Sequence, residues 1–287
     1  MASVPSLRRL GRAAGLLAVA MAAVLCGHMP ALSRDGPEEV DVELVLAVDV
    51  SWSMDPEEQT LQRIGYMEAL RSPEILAAIR KGVNGRIAVT YFEWAGSISQ
   101  DIIVPWHIID GPETAEAFVS RLANRPTRRL YRTSISGAID FAVPLFEGNG
   151  YHGLKQVIDI SGDGANNQGR PVTVSRDDAV AKGITINGLP VMLNRPNAGY
   201  AEVEHLDEYY SDCVIGGPGA FMIPIRDRSQ FVDATRTKIL LEIALVAPPE
   251  LPPRVVPAQF NPAQAQAQKP RSDCMFGERS WQQRWGN

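Results

Sequence analysis

The sequence predicts an α/β fold: a doubly wound, mostly parallel Rossmann-like sheet flanked by helices, with one antiparallel edge strand. Three observations lead there. Residues 44–48 (Leu44, Val45, Leu46, Ala47, Val48) form an apolar run with no polar face, as a central strand buried on both sides requires. A second strongly apolar strand follows at 155–161, and strands alternate with segments of helical period along the chain. Both apolar strands run into turns that carry an acid, Asp49 and Asp163, at the sheet end where open α/β folds bind ligands.

The elements follow in order. After the first strand, Asp55 reads as an N-cap ahead of Pro56, Glu57 and Glu58, with Leu61, Ile64, Met67 and Leu70 at helical spacing. Ser72 caps a second helix that carries Ile75, Leu76 and Ile79 and stops at Gly82. Residues 86–94 and 100–106 read as a hairpin at a sheet edge, joined through Ala95, Gly96 and Ser97. Helices are expected at 112–122 and 134–146, the latter kinked near Pro144. After the strand 155–161 come a short helix at 177–182, a strand at 184–191, a last strand at 221–225 and a final helix at 229–245. The span 194–219 is too long for an ordinary connection and is expected to be an ordered functional or capping loop.

The ends differ in composition. Arg8, Arg9 and Arg12, an apolar run from Ala13 to Cys26 and the small-residue stretch to Ser33 read as a secretory signal peptide over 1–33, the run being short and abruptly ended for a membrane span; an uncleaved anchor and lipidation at Cys26, which the bulky Leu25 fits poorly, are the alternatives. A flexible lead (34–42), the domain (43–246) and a Pro/Gln-rich tail (247–287) follow. The tail cannot bury enough to fold alone, yet it ends in Cys274, Phe276, Trp281 and Trp285, a terminal clip expected to dock back on the domain. Cleavage after residue 33 removes three arginines and no acid, taking the net charge from −5 to −8. That balance excludes nucleic acid and an anionic membrane surface as partners, and leaves no stable membrane insertion. A periplasmic or secreted location is expected. There the two remaining cysteines, Cys213 and Cys274, are expected to form a disulfide; the alternative is two separate thiols, one buried.

The chemistry lies at Asp49, Ser51 and Ser53, a carboxylate and two hydroxyls at alternate positions. By itself this is most simply a capping turn. Thr133 just ahead of a helix and Asp163 at the end of another strand add two further oxygens, the donor set that a hard divalent cation takes. With these residues the sequence resembles the von Willebrand factor type A domain and its metal-ion-dependent adhesion site. Asp49-Val50-Ser51-Trp52-Ser53 matches its Asp-x-Ser-x-Ser, Thr133 its later threonine, and Asp163-Gly164 its later Asp-Gly. The resemblance covers roughly residues 43–244. Residues 160–167 and 214–221 look like an exported bacterial branch of such proteins. It implies that Ser51, Ser53 and Thr133 contact Mg²⁺, or Mn²⁺ or Ca²⁺, through their hydroxyls, that Asp49 and Asp163 act largely through water, and that a protein or another carboxylate-bearing ligand binds there. Arg132 stands where the family commonly has glycine; it either biases the site toward anions or is a plain surface charge. Trp52 and Met54 are candidate partner contacts, or else they pack against neighbouring loops. Asp159, inside a buried strand, requires a partner.

Enzyme readings find little support. Gly-x-Ser-x-Gly and a phosphate loop are missing, and His28, His107, His152 and His205 lack zinc spacing. A non-catalytic binding module is therefore expected. A metal-dependent hydrolase of the cell envelope and a scaffold with a purely structural metal are the alternatives.

Overall fold

The computed structural model describes residues 36–193, 205–244, 256–257 and 272–285. Its central strand is β1 (Glu38–Asp49), buried from Val40 onward. Parallel neighbours lie on both sides, β2 (Ile87–Trp94) and β4 (Tyr151–Gly162), and β3 (Gln100–Ile109) runs antiparallel outside β2. On the far side of β4 follow β5 (Thr185–Pro190), β6 (Phe221–Met222) and β7 (Val256–Pro257). The sheet order is β3-β2-β1-β4-β5-β6-β7. The antiparallel edge strand expected from the hairpin is β3, and the two-residue β7 adds an antiparallel pairing at the other edge. Chain direction away from β1 reverses between β2 and β4, so the switch point lies at the carboxyl ends of β1 and β4.

Strand periodicity divides β1 between two apolar layers. Leu44, Leu46 and Val48 pack in the layer built by α1 (Pro56–Arg71), α2 (Pro73–Arg80), α3 (Pro112–Ala123) and the late helix α7 (Phe231–Ile243), through Tyr66, Leu70, Ile75, Phe118 and Ile239. Val45 and Ala47 face the opposite layer, where α4 (Ile135–Ala142), α5 (Val172–Ala181) and α6 (Leu206–Tyr209) bring Ile135, Ala138, Ala179 and Tyr209. A run apolar at every position is needed because both faces of β1 are covered.

The caps form as the sequence implies. Asp55 Oδ1 accepts from the Glu58 amide at 2.8 Å while Glu58 Oε2 accepts from the Asp55 amide at 2.8 Å, and Ser72 Oγ accepts from the Ile75 amide. Several boundaries differ: β3 runs on to Ile109, β4 begins at Tyr151 and β6 ends at Met222, and three further differences have a visible cause or consequence. β1 takes in residues 38–42, which composition had placed in the lead: Asp41 is buried because its carboxylate accepts from the Asn84 and Gly85 amides, and Glu43 because it accepts from Asn149 and Gly153. The helix expected over 134–146 ends at Ala142 and tightens into a 3₁₀ turn at Val143–Phe146, which accommodates Pro144. The short helix after β4 begins at Val172 rather than 177. Residues 194–204 of the long loop lie outside the described residues; beyond them α6 and a π turn at Tyr210–Val214 bury Tyr209, Tyr210 and Cys213.

Asp159 finds its partner on α7. Lys238 Nζ lies 2.6 Å from Asp159 Oδ1 and also pairs with Glu242, all three fully buried. Tyr66 donates to Asp159 Oδ2 at 3.2 Å and Asn187 Nδ2 to Glu242 Oε1 at 3.1 Å. Two acids share one ammonium here, and burial, followed by the charge of Asp159, pushes Glu242 up to about 7.

Candidate metal centre

Three loops meet at the switch point. The turn after β1 folds back so that the Ser51 amide donates to Asp49 Oδ1 at 2.6 Å, and the Met54 amide to the Ser51 carbonyl at 3.1 Å. The turn holds both hydroxyls on one side: Ser51 Oγ and Ser53 Oγ are 2.9 Å apart, and Ser53 Oγ donates to Asp163 Oδ1 at 2.7 Å. The second loop is pinned to the first by the Leu130 amide on the Val50 carbonyl, 2.9 Å. It is pinned to the third, after β4, by a reciprocal pair: the Thr133 amide donates to Asn167 Oδ1 at 3.0 Å and the Asn167 amide to the Thr133 carbonyl at 2.8 Å. Thr133 Oγ1 then lies 3.8 Å from the point where a side chain on Gly164 would begin. All five residues singled out by the sequence, Asp49, Ser51, Ser53, Thr133 and Asp163, are thus brought to one place.

Two carboxylates and two serine hydroxyls meet in this turn region. Asp49 is fully buried and no hydrogen bond reaches its Oδ2. Burial and then the charge of Asp163 push the Asp49 carboxyl well above the usual carboxylate range, against weaker pulls from the Ser51 amide and hydroxyl and the Asp163 amide. A Cβ at residue 162 would stand 2.8 Å from Asp49 Oδ2 and 3.1 Å from the Tyr210 hydroxyl, so only glycine lets the end of β4 pass this carboxylate. Among the described residues no cluster of three or more His, Cys, Asp or Glu side chains is arranged to hold a metal. The set is instead two carboxylates and three hydroxyls, hard oxygen donors that fit Mg²⁺, Mn²⁺ or Ca²⁺ better than softer ions.

The rim sorts the remaining candidates. Trp52 is 39% exposed and stacks on the exposed Tyr131 with ring centroids 5.1 Å apart, while the Arg129 guanidinium covers its ring at 4.2 Å. Met54, left open between a partner contact and packing against neighbouring loops, is wholly buried, which settles it for packing. Arg132 has φ 77° and lies with its guanidinium carbon 3.4 Å from the centre of the Trp281 ring. Sequence reasoning did not anticipate three supports. Asn167 holds Thr133, Asn166 Oδ1 accepts from the Ser136 amide at 2.9 Å, and Tyr210 closes the site from below. Asn166 and Asn167 are legible only as polar residues in a loop, since their partners come from another loop.

The tail does dock. The Cys213–Cys274 disulfide is formed, and it anchors α8 (Phe276–Trp285) against the loop after β4. The side chain of Trp285 lies outside the described residues.

A doubly wound sheet of this order, flanked by helices, has the von Willebrand factor type A-like fold. Residues 39–247 match the family described as protein of unknown function (DUF1194), and the chain belongs to that family. No curated protein matches the sequence. Among solved structures, proximal thread matrix protein 1 from the mussel byssus is 14% identical with a TM-score of 0.54, over 72% of this chain and 49% of that one. The pilus adhesin SpaC from Lactobacillus rhamnosus GG, in its open conformation, is 12% identical with a TM-score of 0.52, over 72% and 31%. A von Willebrand factor type A protein from Catenulispora acidiphila gives 11% and 0.49, over 71% and 43%. The chain spans about half of the mussel protein's length and less of the others, and at these identities the likeness is one of fold. Among the described residues no helix is long and apolar enough to cross a membrane.

Proposed function

We propose that this protein is a divalent-cation-dependent, non-catalytic binding module of the metal-ion-dependent adhesion type. Ser51, Ser53 and Thr133 would hold the ion through their hydroxyls, and Asp49 and Asp163 would balance its charge, Mg²⁺ being the expected occupant with Mn²⁺ or Ca²⁺ able to take its place. The observation that carries this reading is Asp49: a fully buried carboxylate with one oxygen lacking a donor, next to a second carboxylate, in a ring of hydroxyls. A bound cation would offset the cost of burying such a group. The ion supplies a Lewis-acidic position. The chain's own part is to orient neutral hydroxyls toward it, so that it stays electron-poor and favours a carboxylate from a partner over a neutral ligand.

We place the module outside the cytoplasm, periplasmic or secreted, after loss of residues 1–33; the disulfide supports an oxidising compartment. The test is capture of envelope proteins on immobilised protein in Mg²⁺ and in EDTA. A partner retained only in Mg²⁺, and lost with Thr133→Ala at unchanged melting temperature, is the expected result. A partner retained equally in EDTA would make the metal structural, and turnover of an ester or phosphoester panel in Mg²⁺ would move the protein to the hydrolases.

A further inference from the structure

Arg132 is the only residue other than glycine with a positive φ among the described residues, 77°, a conformation that L side chains hold only where their surroundings impose it. It sits immediately before Thr133. Beside the nearby turn at Gly96, its side chain meets the far end of the chain: the guanidinium carbon lies 3.4 Å from the centre of the Trp281 ring of α8. That helix is fixed independently of Trp281. The disulfide holds its start, the Ser272 amide donates to Asp212 Oδ2 at 2.7 Å, and Glu278 Oε1 accepts from Asn166 Nδ2 at 2.7 Å. Gly277 rests so closely on the loop after β4 that a Cβ there would stand 2.1 Å from the Asn166 carbonyl oxygen. Helix α8 therefore touches both loops that Thr133 and Asn167 join.

We propose that α8 is part of the metal centre rather than a stabilising appendage, and that Trp281 is a positioning residue. By stacking on Arg132 it holds the left-handed backbone that the preceding position requires, and so sets where the Thr133 hydroxyl points. The disulfide-anchored tail does what a glycine at 132 would do without support. This inference rests on the cation-binding reading, yet its backbone half is measurable without metal.

The experiment uses the exported, oxidised chain with Trp281→Leu and Trp281→Phe, each also combined with Arg132→Gly. In metal-free protein, amide hydrogen exchange at Thr133 and Asn167 is expected to speed up about tenfold in Trp281→Leu and much less in Trp281→Phe, which keeps an aromatic face. Calorimetric titration with Mn²⁺ alone is expected to show affinity about tenfold weaker in Trp281→Leu. Arg132→Gly is expected to restore both, because glycine adopts this backbone unaided. Unchanged exchange and affinity in Trp281→Leu would overturn the proposal, as would losses that Arg132→Gly does not rescue, since α8 would then support the fold by another route. Wild-type protein that takes up no Mn²⁺ but shows the exchange pattern and its rescue would refute the cation-binding function and leave the positioning of the loop standing.

Discussion

Replacing Asp49 by Asn separates what the acid does for the fold from what it does for a cation. Asparagine keeps the shape and the oxygen that accepts from the Ser51 amide at 2.6 Å, and removes a charge that is fully buried and faces Asp163. An unsatisfied buried polar group costs about 1–3 kcal/mol. In EDTA, Asp49→Asn is therefore expected to melt above the wild type, by about 2–12 °C at the about 2–4 °C per kcal/mol that applies to a domain of this size. Metal acts the other way. At a hundred times its Kd a cation adds about 2.7 kcal/mol to the state that binds it. On the same conversion that is about 5–11 °C for the wild type and nothing for the variant. Differential scanning calorimetry of both proteins, in EDTA and in saturating Mg²⁺, reads all four values. A variant that melts below the wild type in EDTA would show that the Asp49 carboxylate is satisfied without a cation, and the reasoning would fail.

Lys238→Met is expected to cost about 3–5 kcal/mol in urea unfolding, because it leaves Asp159 and Glu242 buried without their shared ammonium; a loss under 1 kcal/mol would mean that the two acids are neutral in the folded state. The Glu242 carboxyl is raised from 4.5 to about 7 in a site faced by Lys238, Asp159, Asn187 and, at its backbone, Lys155. A raised carboxyl favours the fold below pH 4.5, and that contribution is lost as pH rises to about 7, so Glu242→Gln should flatten the decline of stability across this window. Parallel slopes for variant and wild type would count against it. Cys274→Ser opens a loop of sequence separation 61 and is expected to cost up to about 4 kcal/mol in the chain-entropy model, read as a shift in the denaturant midpoint. An unmoved midpoint would mean that the tail contributes nothing to the folded state.

The strands were legible in the sequence because burial on both faces is written in local periodicity, whereas the five site candidates stood out through their resemblance to a family motif. A strand covered on both faces is apolar at every position, as 44–48 are, and the turn after it brings the alternate hydroxyls of Ser51 and Ser53 to 2.9 Å from each other. Residues 38–42 were misread for the complementary reason. Glu38, Glu39, Asp41 and Glu43 look like a solvated lead until the amides at 84, 85 and 153 and the Asn149 side chain that satisfy Asp41 and Glu43 are in place, and those come from other loops. The same limit hid Asn167 behind Thr133 and Lys238 behind Asp159. Met54 was ambiguous because a turn of this kind has an inner and an outer side, and the sequence does not say which side residue 54 takes.

The contrast between two acids is the firmest guide to where this protein acts. Asp49 and Asp159 lie on adjacent strands, both fully buried, with carboxyls raised by desolvation. Asp159 has a cation beside one oxygen, Lys238 Nζ at 2.6 Å from Oδ1, and a hydrogen bond from Tyr66 on the other. Asp49 is closed on one by the Ser51 amide and open on the other. At Asp49 no side chain takes the place on Oδ2 that Lys238 takes on Asp159. The chain keeps glycine at 162, where any side chain would collide with the open oxygen, and faces the site with Ser51 and Ser53 instead. The stability withheld at Asp49 is what a cation would return on binding, which is why the melting experiment with Asp49→Asn bears on function and the one with Lys238→Met bears only on the fold.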